Sequence, residues 1–187
     1  MTWNLQARRI GFKLSLFALL LILAITAGFT LVIGELVDTY LFRELVKRGA
    51  AISLSTANPS AYSLLSNDLL ALDNLASQVE RSQADILYLA IVDPAGRTLA
   101  HNNLQAVGDQ FPRIQAELVD QWQETEIRRV IRNELDVFEF TTPILFHGQE
   151  VGHLFVGLDA SSWEATRLAI HRQILAVVLV ALVVGLT

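Results

Sequence analysis

Seven side chains in the sequence have the chemical types and spacing expected of a small-molecule binding site. They combine aromatic rings, hydrogen-bonding groups and one guanidinium: Tyr88, Arg97, His101, Phe138, Phe140, Thr142 and His153. Aromatic walls with a few polar groups are the usual lining of such a site. His101 could bind a carboxylate or titrate near neutral pH, and Arg97 could hold an anion through paired N–H donors. The sequence therefore predicts that these seven residues contact a small ligand.

Each candidate also has a structural interpretation, which the sequence leaves open. His101 could be a turn histidine bonded to the backbone, and Tyr88 lies in an apolar run where core packing would explain it. The aromatic stripe of Phe138 and Phe140 is equally typical of a hydrophobic core. Arginines in an acidic chain are commonly solvated, which applies to Arg97, Arg128, Arg129 and Arg132.

Catalytic residues, metals and cofactors are not predicted. The sequence has no cysteine, which excludes disulfides, thiolate metal sites and cysteine nucleophiles. The histidines do not form a helical metal-binding pair, and no serine lies in a nucleophile elbow. All 19 acidic residues lie between Glu35 and Glu164, and so acidic a region argues against binding of nucleic acid.

The mean hydropathy of +0.42 indicates membrane segments. Residues 14–33 carry no charge over 20 residues, which as a helix is ~30 Å, the thickness of one hydrocarbon core. Arg8, Arg9 and Lys13 precede this run and predict that residues 1–13 form a cytoplasmic tip. A cleaved signal peptide is the alternative, since residues 26–28 are small, but the apolar run continues to Ile33 and favours a span.

A second apolar run occupies residues 174–187. Its length of ~21 Å is short of a full span, and we therefore expect a second, incomplete transmembrane helix and either a longer parent protein or a truncated gene. Residues 34–173 would then form one domain on the side of the membrane opposite to the cytoplasm.

The domain between the spans shows the patterns of an α+β fold. A long N-terminal helix is followed by five predicted strands of an antiparallel sheet at residues 86–92, 97–101, 127–132, 137–146 and 151–158, with a helix inserted at 112–123. The last two strands read as a hairpin in which Gly148 opens a type II′ turn. In that register Phe138, Phe140 and Thr142 share a face with His153, and Pro143 indicates an edge or a bulge.

Three passages carry a resemblance to a known family. Residues 47–52 (KRGAAI) with 64–68 (LLSND) are similar to a membrane-proximal helical pair. Residues 91–102 (IVDPAGRTLAHN), with Val107 and Gly108, resemble a strand–turn–strand, and residues 140–144 with 151–158 resemble a closing hairpin. The domain thereby resembles the extracytoplasmic Cache (PAS-like) sensor domains of bacterial histidine kinases, diguanylate cyclases and chemoreceptors.

This resemblance implies a non-enzymatic signal-input module of the kind found in two-component systems. It also implies that the protein lies in a bacterial inner (cytoplasmic) membrane, with residues 34–173 in the periplasm or extracellular space. It implies a small extracellular ligand, a homodimer, and a signal passed through the second span to a cytoplasmic effector outside this sequence. His101 matches the family's histidine position. The alternative is a membrane-anchored module for dimerisation or for binding a partner protein, without a small ligand. In that case Tyr88, Phe138 and Phe140 would fill the pocket.

Overall fold

The computed structural model describes residues 3–114 and 116–186. The predicted tip (1–13) and second span (174–187) extend outside that part at residues 1, 2 and 187. In chain order the elements are α1 (Trp3–Leu65), α2 (Leu69–Ser82), β1 (Ile86–Val92), β2 (Thr98–His101), a 3-10 turn (Leu104–Ala106), β3 (Leu118–Trp122), β4 (Thr125–Arg132), β5 (Leu135–Phe146), β6 (Gln149–Asp159) and α3 (Ala160–Leu186).

The chain divides into two compact units. One is helical and consists of Met1–Leu41 and Ala165–Thr187; in it Arg167 Nε donates to Asp38 Oδ2 at 3.0 Å. Among the described residues, one helical segment, Ala24–Leu65, is long and apolar enough to cross a membrane by length and composition. It overlaps the predicted first span. Both spans, and the domain boundaries drawn from them, remain predictions.

The other unit, Phe42–Glu164, contains an antiparallel sheet. Its strand order is β2-β1-β6-β5-β4-β3, which makes six strands in the described part of the chain. The α+β class and the long N-terminal helix are confirmed, whereas the prediction of five strands is wrong.

The sixth strand, β3, lies where the sequence predicts a helix. Leu118 and Trp122 are spaced by four residues, as on a helix face, but they belong to a strand that pairs with β4. Gln123 adopts a positive φ of 55° and turns the chain back into that pairing. The backbone hydrogen bonds to β4 decide the conformation, because a short amphipathic stretch fits either period.

One face of the sheet, here called the helix-covered face, packs against α1 and α2. Phe138, Phe140, Ile144 and Leu154 lie there in one apolar cluster with helix residues. Gly49 allows α1 to approach closely, because a Cβ at that position would overlap the Phe140 ring. Substantial apolar burial on this face provides the main stabilisation of the unit.

The opposite face, here called the loop-covered face, packs against the connection between β2 and β3. Phe111 is buried on it, with Ile114 and Ala116 packed nearby. Tyr88 and Phe155 belong to the same cluster on the strands. This layer contains no regular helix beyond the 3-10 turn in the described residues, and it is therefore the less completely covered of the two faces.

A bulge in the β5–β6 hairpin determines which residues reach each face. His147 and Gly148 have φ values of 49° and 80°, so the turn has the two positive φ angles of type I′ rather than the predicted type II′. Pairing then shifts by one residue between Ile144 and Leu145, beside Pro143, where an edge or a bulge is predicted. Because a one-residue shift reverses the side-chain faces, His153 lies opposite to Phe138, Phe140 and Thr142, and their predicted common face is wrong.

Candidate functional site

Three of the seven predicted contacts lie on the loop-covered face. Tyr88 and His101 are close together, with ring centroids 6.3 Å apart and planes inclined by 15°. Tyr88 is placed by its cross-strand partner Gly157, where a Cβ would overlap the tyrosine ring. His153 lies further along the face, beside Phe155.

The other four predicted contacts are located elsewhere. Phe138, Phe140 and Thr142 are buried on the helix-covered face, and the Thr142 and Thr125 hydroxyl oxygens are 2.8 Å apart there. Arg97 is exposed in the turn between β1 and β2, where its backbone N–H donates to Asp93 Oδ1 at 2.8 Å. The structure therefore does not bring these four side chains together with Tyr88 and His101.

A cavity of about 430 Å³ opens on the loop-covered face; we call it the first cavity. Its walls come from β1, β2, the β2–β3 connection and the β4–β5 turn, and include Tyr88, His101, Asp109, Phe111 and Arg132. Aromatic rings therefore alternate with hydrogen-bonding groups around a volume suited to a small organic molecule.

Two residues that line this cavity, Tyr88 and Arg132, belong to a buried polar network with Glu139, which lies outside the cavity wall. Glu139, which is only 3% exposed, accepts hydrogen bonds at Oε2 from the Tyr88 hydroxyl and from Arg132 Nη2 at 2.8 Å. Arg132 Nε also donates to Tyr88 Oη at 3.0 Å. The three side chains thus satisfy one another, which is the condition for burying a charge pair at tolerable cost.

Arg132 connects this network to the covering loop. Its Nη2 donates to the Pro112 carbonyl at 2.9 Å, and its guanidinium carbon lies 4.6 Å from the centre of the Phe111 ring. Its Nη1 makes no hydrogen bond to any described residue, although Arg132 lines the cavity. One edge of the guanidinium therefore remains available to a ligand.

Burial fixes the protonation states of the cavity groups. It raises the pKa of Tyr88, and the Glu139 carboxylate raises it further, so the phenol is neutral. Burial also lowers the pKa of His101, reinforced by the positive charge of Arg132 and opposed by Glu80. Burial lowers the pKa of Arg132, but Tyr88 and Glu139 more than offset this effect and raise it overall, so the guanidinium stays charged.

The neutral His101 ring has a defined tautomer. Its Nδ1 accepts a hydrogen bond from the Asn103 backbone N–H at 2.8 Å, which leaves the ring proton on Nε2. His101 can therefore donate one hydrogen bond at neutral pH, and Arg132 can donate through Nη1, whereas the Tyr88 hydroxyl proton is already donated to Glu139. The backbone contact is the one expected of a turn histidine, and it occupies Nδ1 and not Nε2.

A second cavity of about 300 Å³ lies on the same face and includes His153 in its walls. Arg128, which also lines it, is held by the Ala116 carbonyl at 2.7 Å and by Glu126 at 2.9 Å. Glu139 lines this cavity as well, while its Oε2 atom contacts residues of the first. In the described part of the chain, His153 Nδ1 is buried without a hydrogen-bond partner.

Sequence reasoning did not identify Glu139 and considered Arg132 only among several arginines. The signal for Glu139 is its position between Phe138 and Phe140 in an otherwise apolar strand segment. Strand alternation places such an acid on the face opposite to its two neighbours, where it needs a partner. Which partner it finds depends on β1 and β4, and therefore on contacts distant in sequence.

The described residues contain no group of three or more histidine, aspartate or glutamate side chains that could hold a metal ion. The polar groups of both cavities are instead hydrogen-bond donors and acceptors suited to an organic ligand.

No protein-family model matches the sequence, and no curated protein matches it. Solved structures do match in fold. The E. coli DcuS sensor domain aligns with a TM-score of 0.56 and 16% identity, over 70% of this chain and 98% of that one. The sensor domain of the V. cholerae histidine kinase DctB aligns with a TM-score of 0.55 and 16% identity, over 68% of this chain and 54% of that one.

A chemoreceptor domain also matches. The ligand-binding domain of C. jejuni Tlp3, in complex with 4-methylisoleucine, aligns with a TM-score of 0.54 and 12% identity, over 68% of this chain and 56% of that one. The chain thus spans about half the length of the DctB and Tlp3 domains. The fold is that of bacterial sensor domains, and the resemblance to Cache-like extracytoplasmic sensor domains of signalling proteins is confirmed at that level.

Proposed function

We propose that this chain is a membrane-bound signal-input module that binds a small extracytoplasmic ligand in the first cavity. The observation that carries the proposal is that cavity, with Tyr88, His101 and Arg132 in its walls, in a sheet whose fold is that of sensor domains. Residues of this kind around a volume of about 430 Å³ suit a small molecule rather than a macromolecule.

The ligand class follows from the available donors. Arg132 Nη1 and His101 Nε2 can donate to carboxylate or carbonyl oxygens, which supports an amino acid or a small carboxylate. Tlp3, whose fold is similar, binds isoleucine in a crystal structure. With the carboxylate of such a ligand bound by Arg132 and His101, the rings of Phe111 and Tyr88 would contact its apolar part.

The signal would be transmitted by the helices that precede and follow the sheet in the chain, α1 and α3. Residues 34–173 would lie outside the membrane, and α3 would carry the signal through the second span to a cytoplasmic effector, as a kinase, cyclase or chemoreceptor would require. A ligand can change this equilibrium only through its different affinity for two conformations of the sheet unit. A homodimer, as the family resemblance implies, belongs to the same proposal.

The alternative module without a ligand would need a filled pocket. Phe138 and Phe140 lie on the helix-covered face instead, and Tyr88 borders a cavity that they leave open. This arrangement supports the sensor over the purely structural module.

The test is ligand binding by the full chain in lipid nanodiscs. Amino acids and small carboxylates are screened by thermal unfolding, since a ligand bound only to the folded state raises the midpoint by mass action. Arg132→Gln should abolish the shift produced by any hit, whereas the matched change of the exposed arginine, Arg97→Gln, should preserve it. A folded protein that responds to no compound, or hits that Arg132→Gln leaves intact, would count against the proposal.

A further inference from the structure

The charged groups in and beside the first cavity do not favour a doubly charged anion. Among its described walls, Asp109 and Arg132 carry formal charges, and Tyr88 and His101 are neutral near pH 7. Arg132 is paired with Glu139 at 2.8 Å, and Glu139 is nearly fully buried. The single positive charge of the cavity is therefore already balanced before any ligand enters, and Asp109 adds a negative charge at the wall.

The position of Glu139 makes this balance strong. Its side chain is 4% exposed and that of Arg132 is 14% exposed, so water screens the pair poorly, and a ligand charge nearby would interact with both members at low effective dielectric constant. A monoanion would contact one positive and one negative residue in the wall, Arg132 and Asp109, and would also interact at longer range with the charge of Glu139, which is paired with Arg132. A dicarboxylate would meet the same groups with twice the charge, and no second guanidinium in the described walls could compensate.

We propose that Glu139 determines the charge selectivity of the first cavity, which accepts zwitterionic or uncharged polar ligands and excludes dicarboxylates. This inference rests on the proposed function, because it assumes that the first cavity is the ligand site. Glu139 acts through Arg132 as a positioning and charge-balancing residue. It leaves Arg132 Nη1 free to donate to one ligand oxygen while cancelling the long-range attraction for anions.

The test compares three four-carbon probes of equal length and different charge: succinate, 4-aminobutanoate and 1,4-diaminobutane. Binding is measured calorimetrically with the full chain in phosphatidylcholine nanodiscs, whose lipids carry no net charge. We expect 4-aminobutanoate to bind the unmodified protein at least tenfold more tightly than succinate. Glu139→Gln keeps the shape and the hydrogen-bond acceptor but removes the charge, and it should reduce that ratio at least tenfold.

Two further variants show whether the ratio depends on where a negative charge is removed. Glu126→Gln removes one negative charge from the same face at the second cavity and should leave the ratio within twofold of its original value. Asp109→Asn removes a charge from the wall of the first cavity and should shift the ratio at least threefold in the same direction as Glu139→Gln. Should Glu139→Gln fail to fold, the ratio in the original protein decides, and a preference for 4-aminobutanoate over succinate of less than tenfold would overturn the inference.

The remaining outcomes separate this inference from the proposed function. Binding in which the original protein prefers succinate, or in which Glu139→Gln leaves the ratio unchanged, overturns the charge selectivity alone. If no probe binds the original protein or any variant although the screen of amino acids and carboxylates yields a ligand, the selectivity alone is overturned. If that screen also yields no ligand, the proposed small-ligand function is overturned as well.

A measurement without ligand tests the charge balance directly. The pKa of His101, followed by NMR of histidine-labelled protein, should fall in Glu139→Gln, because the Arg132 charge that already depresses it would no longer be balanced. Glu126→Gln should leave this pKa unchanged. An unaltered His101 pKa in folded Glu139→Gln would overturn the inference, whatever the probes show.

Discussion

On the helix-covered face of the sheet, Phe138 and Phe140 are fully enclosed by helices and strands, whereas on the loop-covered face Tyr88 and Phe111 border a cavity of about 430 Å³. The same strands supply both faces through alternating residues. The difference comes from what covers them: helices provide continuous apolar stripes, while a loop of mixed composition leaves space between a few anchoring side chains. A sensor fold can thus place its stability on one face and its chemistry on the other.

Truncating an aromatic ring on each face gives the largest expected contrast. Phe140→Ala should lower the free energy of unfolding by about 4 kcal/mol, because it leaves a cavity in a fully packed core, whereas Phe111→Ala should cost about 1–2 kcal/mol beside space that already exists. Denaturant unfolding of the full chain in detergent, followed by circular dichroism, measures both. Equal losses would mean that the two faces are packed alike.

Breaking the buried ion pair should have the next largest effect. Glu139→Ala leaves Arg132 charged and unpaired and should cost about 3 kcal/mol. The matched change Glu126→Ala removes half of a partly exposed pair with Arg128 and should cost under about 1 kcal/mol. If both variants unfold at the same denaturant concentration, the buried Glu139–Arg132 pair contributes no more to stability than the Glu126–Arg128 pair, contrary to this prediction.

A polar pair on the helix-covered face provides a smaller test of the same contrast. Thr142→Val leaves the Thr125 hydroxyl buried without its partner and should cost about 1–2 kcal/mol, whereas the double replacement Thr125→Val with Thr142→Val should recover most of the loss. Ligand binding should be unaffected in both, since these residues lie away from the first cavity. A changed affinity would show that the two faces are coupled.

The pH dependence of His101 should give the smallest effect. Because the folded-state pKa of His101 is depressed below its ordinary value of about 6.5, the unfolded chain binds the proton more readily. The contribution of His101 to stability is fully present above about pH 6.5 and is lost as the pH falls through the folded-state pKa. Thermal unfolding between about pH 7.5 and 5.5 should therefore show a smaller decrease for His101→Asn than for the original protein, and identical slopes would refute this.

The sequence predicted much of the scaffold and only part of the candidate site. The continuous apolar run of β1 and the alternating strands of the β5–β6 hairpin are strong local signals, and their order along the chain indicated the sensor-like fold. Tyr88 and His101 were recognised by residue type and line the first cavity, but their contact with a ligand remains a prediction. β3 was missed because its pairing with β4, rather than its own pattern, makes it a strand.

What the sequence by itself determined was the alternation of side chains within each strand, since the pleat has a period of two whatever the surroundings. What only the tertiary structure decided was the relation between strands. One bulge near Pro143 reverses the face of His153, and the pairing of four strands, β1, β6, β5 and β4, brings Tyr88, Arg132 and Glu139 into one network. Register and burial arise from non-local contacts, so no local pattern could show that Glu139 would pair with Arg132.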